Sequence, residues 1–116
     1  YYAKYKKWCD EYFYLPHRKE LRGMGGIFFD YKKNNFEKDF KFVRDVGITF
    51  QLIFQKIIRK KIKKKWTTKD KEMQYIKRGR YAEFNLLYDR GTKFGLQTSG
   101  NIEGILMSLP PLAKWK

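Results

Sequence analysis

One stripe of apolar residues between positions 36 and 58 constrains the fold of this chain more than any other feature of its sequence. On a helical wheel the stripe covers about 100°, and Lys38, Lys41 and Asp45 lie opposite. Asn35 precedes it and can cap the first turn. We therefore predict one long amphipathic helix that buries this stripe, which consists of Phe36, Phe40, Val43, Gly47, Phe50, Phe54, Ile57 and Ile58.

The stripe would next use positions 61 and 65, and both are lysine. We therefore expect the helix to end near residue 60 or to leave the core there. The basic run 59–65 is interpreted as a solvated helix end, because cations suit the C-terminal end of the helix dipole. A phosphate-binding patch is the alternative.

The charge balance is strongly basic, with 27 Lys and Arg against 12 Asp and Glu and a net charge of +15. Such a balance is typical of proteins that bind nucleic acid or anionic membranes. Lys, Ile, Tyr and Phe are all abundant, however, as biased coding would produce. We favour this second explanation, in which surface lysines have no binding role.

A chain of 116 residues with 42% hydrophobic residues is the size of one domain and too apolar to be disordered. Its single cysteine, Cys9, excludes a scaffold held by internal disulfides and indicates a reducing compartment. No apolar run approaches the ~20 residues of a membrane span. Because no initiator methionine or targeting pattern is present, we expect residues 1–116 to be a single partial domain of a longer protein.

The N-terminal third predicts a helix and then a strand. Residues 2–13 form an amphipathic pattern that Pro16 cannot continue, and Cys9 lies on its apolar side as a small core residue. Residues 14–22 are polar and turn-like, and 23–29 are interpreted as a short buried strand whose glycines allow close approach of backbone or ligand. Because these glycines precede the strand, the Rossmann and P-loop patterns are excluded.

The C-terminal half predicts a hairpin between two helices. Thr67 and Asp70 resemble a capping box for a helix through about Lys77, which Gly79 would end. Residues 81–88 and 93–98 are predicted as strands joined by the turn 89–92. A last helix is expected over 102–108. The predicted fold class is α+β, an antiparallel sheet flanked by helices.

Few residues in the chain could carry chemistry unaided. His17 is the only histidine, and with Cys9 alone it cannot complete a zinc site. The arginines are more informative, because several stand beside glycine, a combination that suits bidentate capture of carboxylates or phosphates. These are Arg22-Gly23, Arg78-Gly79-Arg80 and Arg90-Gly91. Structural pairing with Glu20, Glu83 or Asp89 is the alternative and is weighed equally.

Four segments of the chain closely resemble the oxygen-dependent coproporphyrinogen-III oxidase family: 7–13, 17–30, 78–96 and 105–111. The resemblance extends over nearly the whole chain but only over the C-terminal part of the family. It implies oxidative decarboxylation of two propionates of coproporphyrinogen III in haem biosynthesis. It further implies dioxygen as co-substrate, no organic cofactor, a cytoplasmic homodimer and a large antiparallel sheet with helices on both faces.

The resemblance assigns roles unevenly. Arg22 and Arg90 match arginines proposed to meet substrate carboxylates, and His17 matches a histidine treated as a ligand of a divalent metal in bacterial members. The substrate-contacting Gly-Gly-Arg of the family is here Ser99, Gly100 and Asn101, so only backbone contacts would be kept. The family's proposed proton donor and acidic residue would precede Tyr1, so no catalytic residue is assigned here.

Three hypotheses follow. In the first, the chain is the C-terminal part of such an oxidase, dimerises through residues 81–116 and is inactive alone. In the second, it is a basic nucleic-acid-binding module. The aromatic residues at 36, 40, 50 and 54 argue against specific nucleic-acid binding, because the predicted helix buries them away from its lysines. In the third, it is an inactive product of a split gene.

Overall fold

The computed structural model describes residues 1–115, which form two compact units. One unit comprises 1–28 with 67–115, and the other comprises 29–66. Five helices and one two-stranded sheet make up the described chain, and their bounds are α1 Tyr2–Tyr12, β1 Tyr14–Leu15, β2 Glu20–Leu21, α2 Phe36–Lys61, α3 Thr68–Leu87, α4 Arg90–Gln97 and α5 Ile102–Leu106.

Helix α1 confirms the predicted N-terminal helix, and Cys9 is buried on its inner side, as expected. The next segment forms a small antiparallel hairpin that the turn-like composition of 14–22 did not predict. Tyr14 pairs with Leu21, and Leu15 pairs with Glu20. Pro16 lies in the connecting loop, where its lack of an N–H group does not disturb a strand.

The glycine-rich segment after β2 is not a strand, so the prediction for 23–29 is wrong. The segment has no partner strand among the described residues and instead runs beside α1, where the Phe28 amide donates to the Tyr5 carbonyl at 3.1 Å. Gly25 adopts a φ of +71°, and a Cβ there would lie 3.1 Å from Asp10 Oδ1. Gly25 therefore lies against α1 side chains, and no other backbone of the described chain comes within 4 Å of a Cβ at Gly23, Gly25 or Gly26.

Helix α2 begins and ends as predicted. The Asn35 side chain accepts from the Lys38 amide at 3.0 Å, and the helix ends at Lys61 within an exposed basic run. The expectation that its apolar stripe is buried is wrong, because no residue of α2 is buried and Phe50 is 67% exposed. A helix buries a stripe only against a second element. Within residues 29–66, α2 is the only helix or strand.

Helix α3 confirms the capping box of Thr67 and Asp70 but continues past Gly79 to Leu87. The predicted helix end at Gly79 and the predicted strand 81–88 are therefore wrong. Gly79 is buried inside the helix, where a Cβ would collide with the Lys114 carbonyl oxygen. The glycine allows the close approach of another segment and does not end the helix.

The predicted turn 89–92 and returning strand 93–98 are also wrong, because helix α4 occupies this segment. The Asp89 side chain accepts from the Thr92 amide at 2.7 Å and so caps a helix instead of forming a hairpin turn. Helix α5 falls within the predicted helix 102–108, with the Asn101 side chain as its cap.

The core lies in the first unit, where α1, the hairpin and α3 contribute its most buried apolar side chains, which are Tyr5, Cys9, Leu15, Ala82 and Phe84. The described chain is mostly helical with one small antiparallel sheet, which is compatible with the α+β class. No described helix is long and apolar enough to cross a membrane.

Candidate functional site

A fork of charged hydrogen bonds joins the hairpin loop to α3. Arg18 donates from Nε to Glu83 Oε2 at 2.6 Å and from Nη2 to Glu83 Oε1 at 2.5 Å. His17 Nε2 lies 2.8 Å from the same carboxylate, and its Nδ1 lies 2.8 Å from the Tyr88 hydroxyl. Glu83 lies on α3 and Tyr88 is the cap residue at its C-terminal end, so the positions of both depend on the continuation of the helix past Gly79.

The environment of Glu83 strongly favours its ionised form. The Arg18 hydrogen bonds, together with the hydrogen bond and charge of His17, lower the pKa of the Glu83 carboxyl to about 2. Partial burial of this side chain opposes the shift but does not overcome it. A second ion pair, between Arg80 Nε and Glu20 Oε1, joins β2 to the same helix. For Arg80, structural pairing is therefore the correct reading.

A cavity of about 490 Å³ lies on another side of α3. Its walls come from α1, from the glycine-rich segment and from one face of α3. Its lining is mostly apolar and cationic, and none of the described residues that form it is acidic. These residues are Cys9, Phe13, Arg22, Gly23, Met24, Gly25, Gly26, Ile27, Phe28, Gln74, Lys77, Arg78 and Tyr81. Such a lining suits a ligand that combines an apolar body with negatively charged groups.

Arg22 lies at this cavity among aromatic rings. Its guanidinium carbon is 4.0 Å from the ring centroid of Phe13, 5.1 Å from that of Tyr81 and 5.3 Å from that of Phe84. Burial lowers the pKa of the Arg22 guanidinium, and the like charge of Arg78 acts in the same direction. Among residues 1–115, no carboxylate forms an ion pair with Arg22.

The other predicted site residues lie away from the cavity lining. Arg90 is the exposed first residue of α4. Ser99 and Gly100 form the turn after α4, where the Gly100 amide donates to the Gly95 carbonyl at 3.0 Å. The Asn101 side chain accepts from the amides of Glu103 and Gly104 and so caps α5. The structure therefore brings only Arg22 of the predicted substrate residues to the cavity.

Both ring nitrogens of His17 have hydrogen-bond partners in this arrangement, so a metal would have to replace Glu83 or Tyr88. The described residues contain no group of three or more His, Cys, Asp or Glu side chains placed to hold a metal ion. A metal at His17 stays a prediction. Cys9 lines the cavity but is buried, in keeping with its predicted role as a small core residue.

Comparison with known proteins identifies the family of the chain that forms this cavity. The family model described as coproporphyrinogen III oxidase matches residues 1–116. The chain belongs to the coproporphyrinogen III oxidase family. The resemblance carried by its motifs is thereby confirmed.

Curated relatives carry the same family name. The chain is 63% identical over 116 residues to the oxygen-dependent coproporphyrinogen-III oxidase of Rickettsia bellii, and 64% and 62% identical to those of Rickettsia rickettsii and Rickettsia akari. Each match covers 99% of this chain and 42% of the relative. The chain therefore spans less than half the length of the coproporphyrinogen oxidases that it matches.

In this chain of the coproporphyrinogen oxidase family, the sequence identified only Arg78 among the α3 residues that line the cavity. Gln74, Lys77, Arg78 and Tyr81 line it from a single helix, at positions i, i+3, i+4 and i+7. This spacing places side chains on one face of a helix. The signal was present in the sequence, but the predicted helix end at Gly79 separated Tyr81 from the other three.

Proposed function

We propose that this chain forms part of the substrate site of an oxygen-dependent coproporphyrinogen-III oxidase. In this reaction two propionate side chains of coproporphyrinogen III become vinyl groups. Each ionised propionate loses carbon dioxide together with two electrons and one proton, and these, with one further proton from water, reduce one molecule of the co-substrate dioxygen to hydrogen peroxide. The family resemblance implies that no organic cofactor takes part, and the electron-rich porphyrinogen can itself supply the electrons.

The observation that carries the proposal is the position of Arg22. This cation has no carboxylate partner within residues 1–115 and lies at a cavity with an apolar and basic lining. A planar guanidinium can donate two parallel hydrogen bonds to one carboxylate. The substrate has four carboxylates on an apolar tetrapyrrole macrocycle, which matches such a lining. In this proposal Arg22 binds and orients one propionate, while Phe28 and Tyr81 contribute apolar wall.

The chain's own residues leave the chemical step to groups elsewhere in the longer protein. The resemblance places the proposed proton donor and an acidic residue before Tyr1, so the 116 residues bind and orient substrate. The large antiparallel sheet expected for the family would likewise include segments beyond this chain. Arg90, the backbone of 99–101 and a metal at His17 remain secondary proposals, as do a cytoplasmic location and a homodimer through 81–116.

The isolated chain tests this division of roles. Coproporphyrinogen III is prepared anaerobically, mixed with the chain, exposed to air, and followed by product fluorescence. We expect weak binding of the porphyrinogen and no protoporphyrin above the rate without protein. Product formed above that rate would show that the chain contains its own catalytic groups. No measurable binding would remove the substrate-site proposal.

A further inference from the structure

The cavity contains a second arginine, Arg78, to which the family resemblance assigns no role. Arg78 follows Lys77 on α3, and its guanidinium carbon lies 4.3 Å from the ring centroid of Tyr81. The guanidinium carbon of Arg22 lies 5.1 Å from the same centroid. Two arginines from separate segments, the end of the hairpin and the middle of α3, thus share one aromatic ring at the edge of one cavity.

These two arginines differ from their neighbours in pairing. Arg18 is held by Glu83, and Arg80 is held by Glu20. No described carboxylate forms an ion pair with Arg22 or Arg78, and no acidic side chain lines the cavity. Their charges repel, and this repulsion is among the causes that lower the pKa of Arg22. An anion between them would relieve that repulsion.

We propose that Arg78 is a second carboxylate-binding residue of this cavity and acts together with Arg22 on one propionate of the substrate. The inference rests on the proposed function and adds a residue to it. The ring of Tyr81 supports both guanidinium groups through its π face. Lys77 lines the same cavity and contributes positive charge at its exposed rim.

A merely structural Arg78 is the competing explanation, because stacking on Tyr81 could stabilise α3 without any ligand. The two explanations differ in which ligands they affect. A carboxylate-binding arginine distinguishes a free acid from its ester, since the ester offers no charge to the fork. A structural arginine affects both ligands equally, through the shape of the cavity.

The experiment titrates the 116-residue chain with coproporphyrin III and, separately, with its tetramethyl ester, by porphyrin fluorescence. The variants are Arg78→Gln, Arg22→Gln and the double variant. Lys69→Gln is the matched control, because it removes one positive charge from an exposed position of the same helix outside the cavity. Thermal melting of each variant reports folding.

We expect each single variant to weaken binding of the free acid by about tenfold, the effect of one lost charged hydrogen bond. The double variant should weaken binding of the free acid by less than the product of the two single fold-changes, because both arginines hold the same carboxylate. Ester binding and the Lys69→Gln control should be unchanged. If Arg78→Gln fails to fold, Arg78→Lys replaces it and should also weaken acid binding, since the fork is lost.

Three results would overturn the proposal. Unchanged acid binding in Arg78→Gln with weakened binding in Arg22→Gln would refute a role for Arg78 and leave the proposed function standing. Equal losses for acid and ester in Arg78→Gln would assign Arg78 a structural role. Wild-type binding of the acid no tighter than that of the ester would remove both the inference and the carboxylate site on which it rests.

Discussion

Arg18 holds both carboxylate oxygens of Glu83, at 2.6 and 2.5 Å, and thereby joins the loop between β1 and β2 to helix α3. The two residues are 65 positions apart in sequence, so the pair closes a long loop of chain. On α3, Glu83 follows Tyr81, the ring shared by Arg22 and Arg78 at the cavity. The pair therefore fixes the helix that carries one wall of the candidate site.

Because the pKa of Glu83 is lowered from 4.5 to about 2, its pair contributes stability above pH 4.5 and loses it as the pH falls towards 2. We expect Glu83→Gln to lower the free energy of unfolding at pH 7 by about 2–3 kcal/mol. The variant should also show a flatter dependence of stability on pH between 4.5 and 2. Chemical denaturation at several pH values measures both effects.

Glu11→Gln is the matched control, because Glu11 is exposed and lies 3.8 Å from Lys7 in a pair at i,i+4. Exposed pairs of this kind contribute little to stability. If Glu83→Gln and Glu11→Gln lower the free energy of unfolding equally, the stabilising role given to the Arg18–Glu83 pair is contradicted.

We expect substitution by alanine to have opposite effects on stability at two helical glycines. Alanine normally stabilises a helix interior by about 1 kcal/mol relative to glycine. Gly47→Ala in α2 should follow that rule, because a Cβ there meets nothing within 4 Å. Gly79→Ala should instead destabilise the chain by about 1–3 kcal/mol, since its Cβ would collide with the Lys114 carbonyl oxygen. Thermal melting of both variants tests this, and stabilisation by Gly79→Ala would show that the C-terminal segment does not pack there.

If the chain forms the proposed homodimer through residues 81–116, a charged side chain placed in that interface should change the oligomeric mass in solution. Leu106, the last residue of α5, is only partly buried in the described chain. If a second copy covers it, Leu106→Asp should convert a dimer to monomer or aggregate, because burying an unpaired charge costs several kcal/mol. Light scattering on folded wild type and variant measures the mass. The same mass for both would place any interface elsewhere.

Nucleic-acid binding is the contrasting functional class, and the aromatic stripe of α2 was expected to be buried and so unable to stack on bases. Phe36, Phe40, Phe50 and Phe54 are exposed, so burial does not withhold them from bases. Their stripe still faces away from Lys38 and Lys41. We expect only weak, sequence-independent DNA binding that is lost between about 50 and 200 mM salt. Titration of one duplex and a scrambled duplex tests this, and tight binding to one sequence at physiological salt would favour the nucleic-acid module.

Local sequence signals were sufficient to predict those features of the structure that depend on neighbouring residues. The caps at Asn35 and Thr67 and the bounds of α2 follow from such signals. The error at Gly79 arose where a distant contact decides, because the Lys114 backbone packs on this glycine within the helix. The error at Asp89 was local, because the same residue type can begin a turn or cap a helix, and here it accepts from the Thr92 amide as a cap. The resemblance identified Arg22, and the neighbouring glycine made Arg78 a candidate, but the continuous α3 is what places Arg78 with Tyr81 at the cavity.

The most direct test of the central claim is a chimaera of the Rickettsia bellii relative in which this chain replaces the segment that it matches. Its rate of protoporphyrinogen formation from coproporphyrinogen III in air is compared with that of the parent enzyme. We predict that the chimaera is active and that Arg22→Lys within it raises KM by about tenfold or more, because the fork is lost while the charge stays. A folded chimaera without activity above background, or one whose KM is indifferent to Arg22→Lys, would contradict the account.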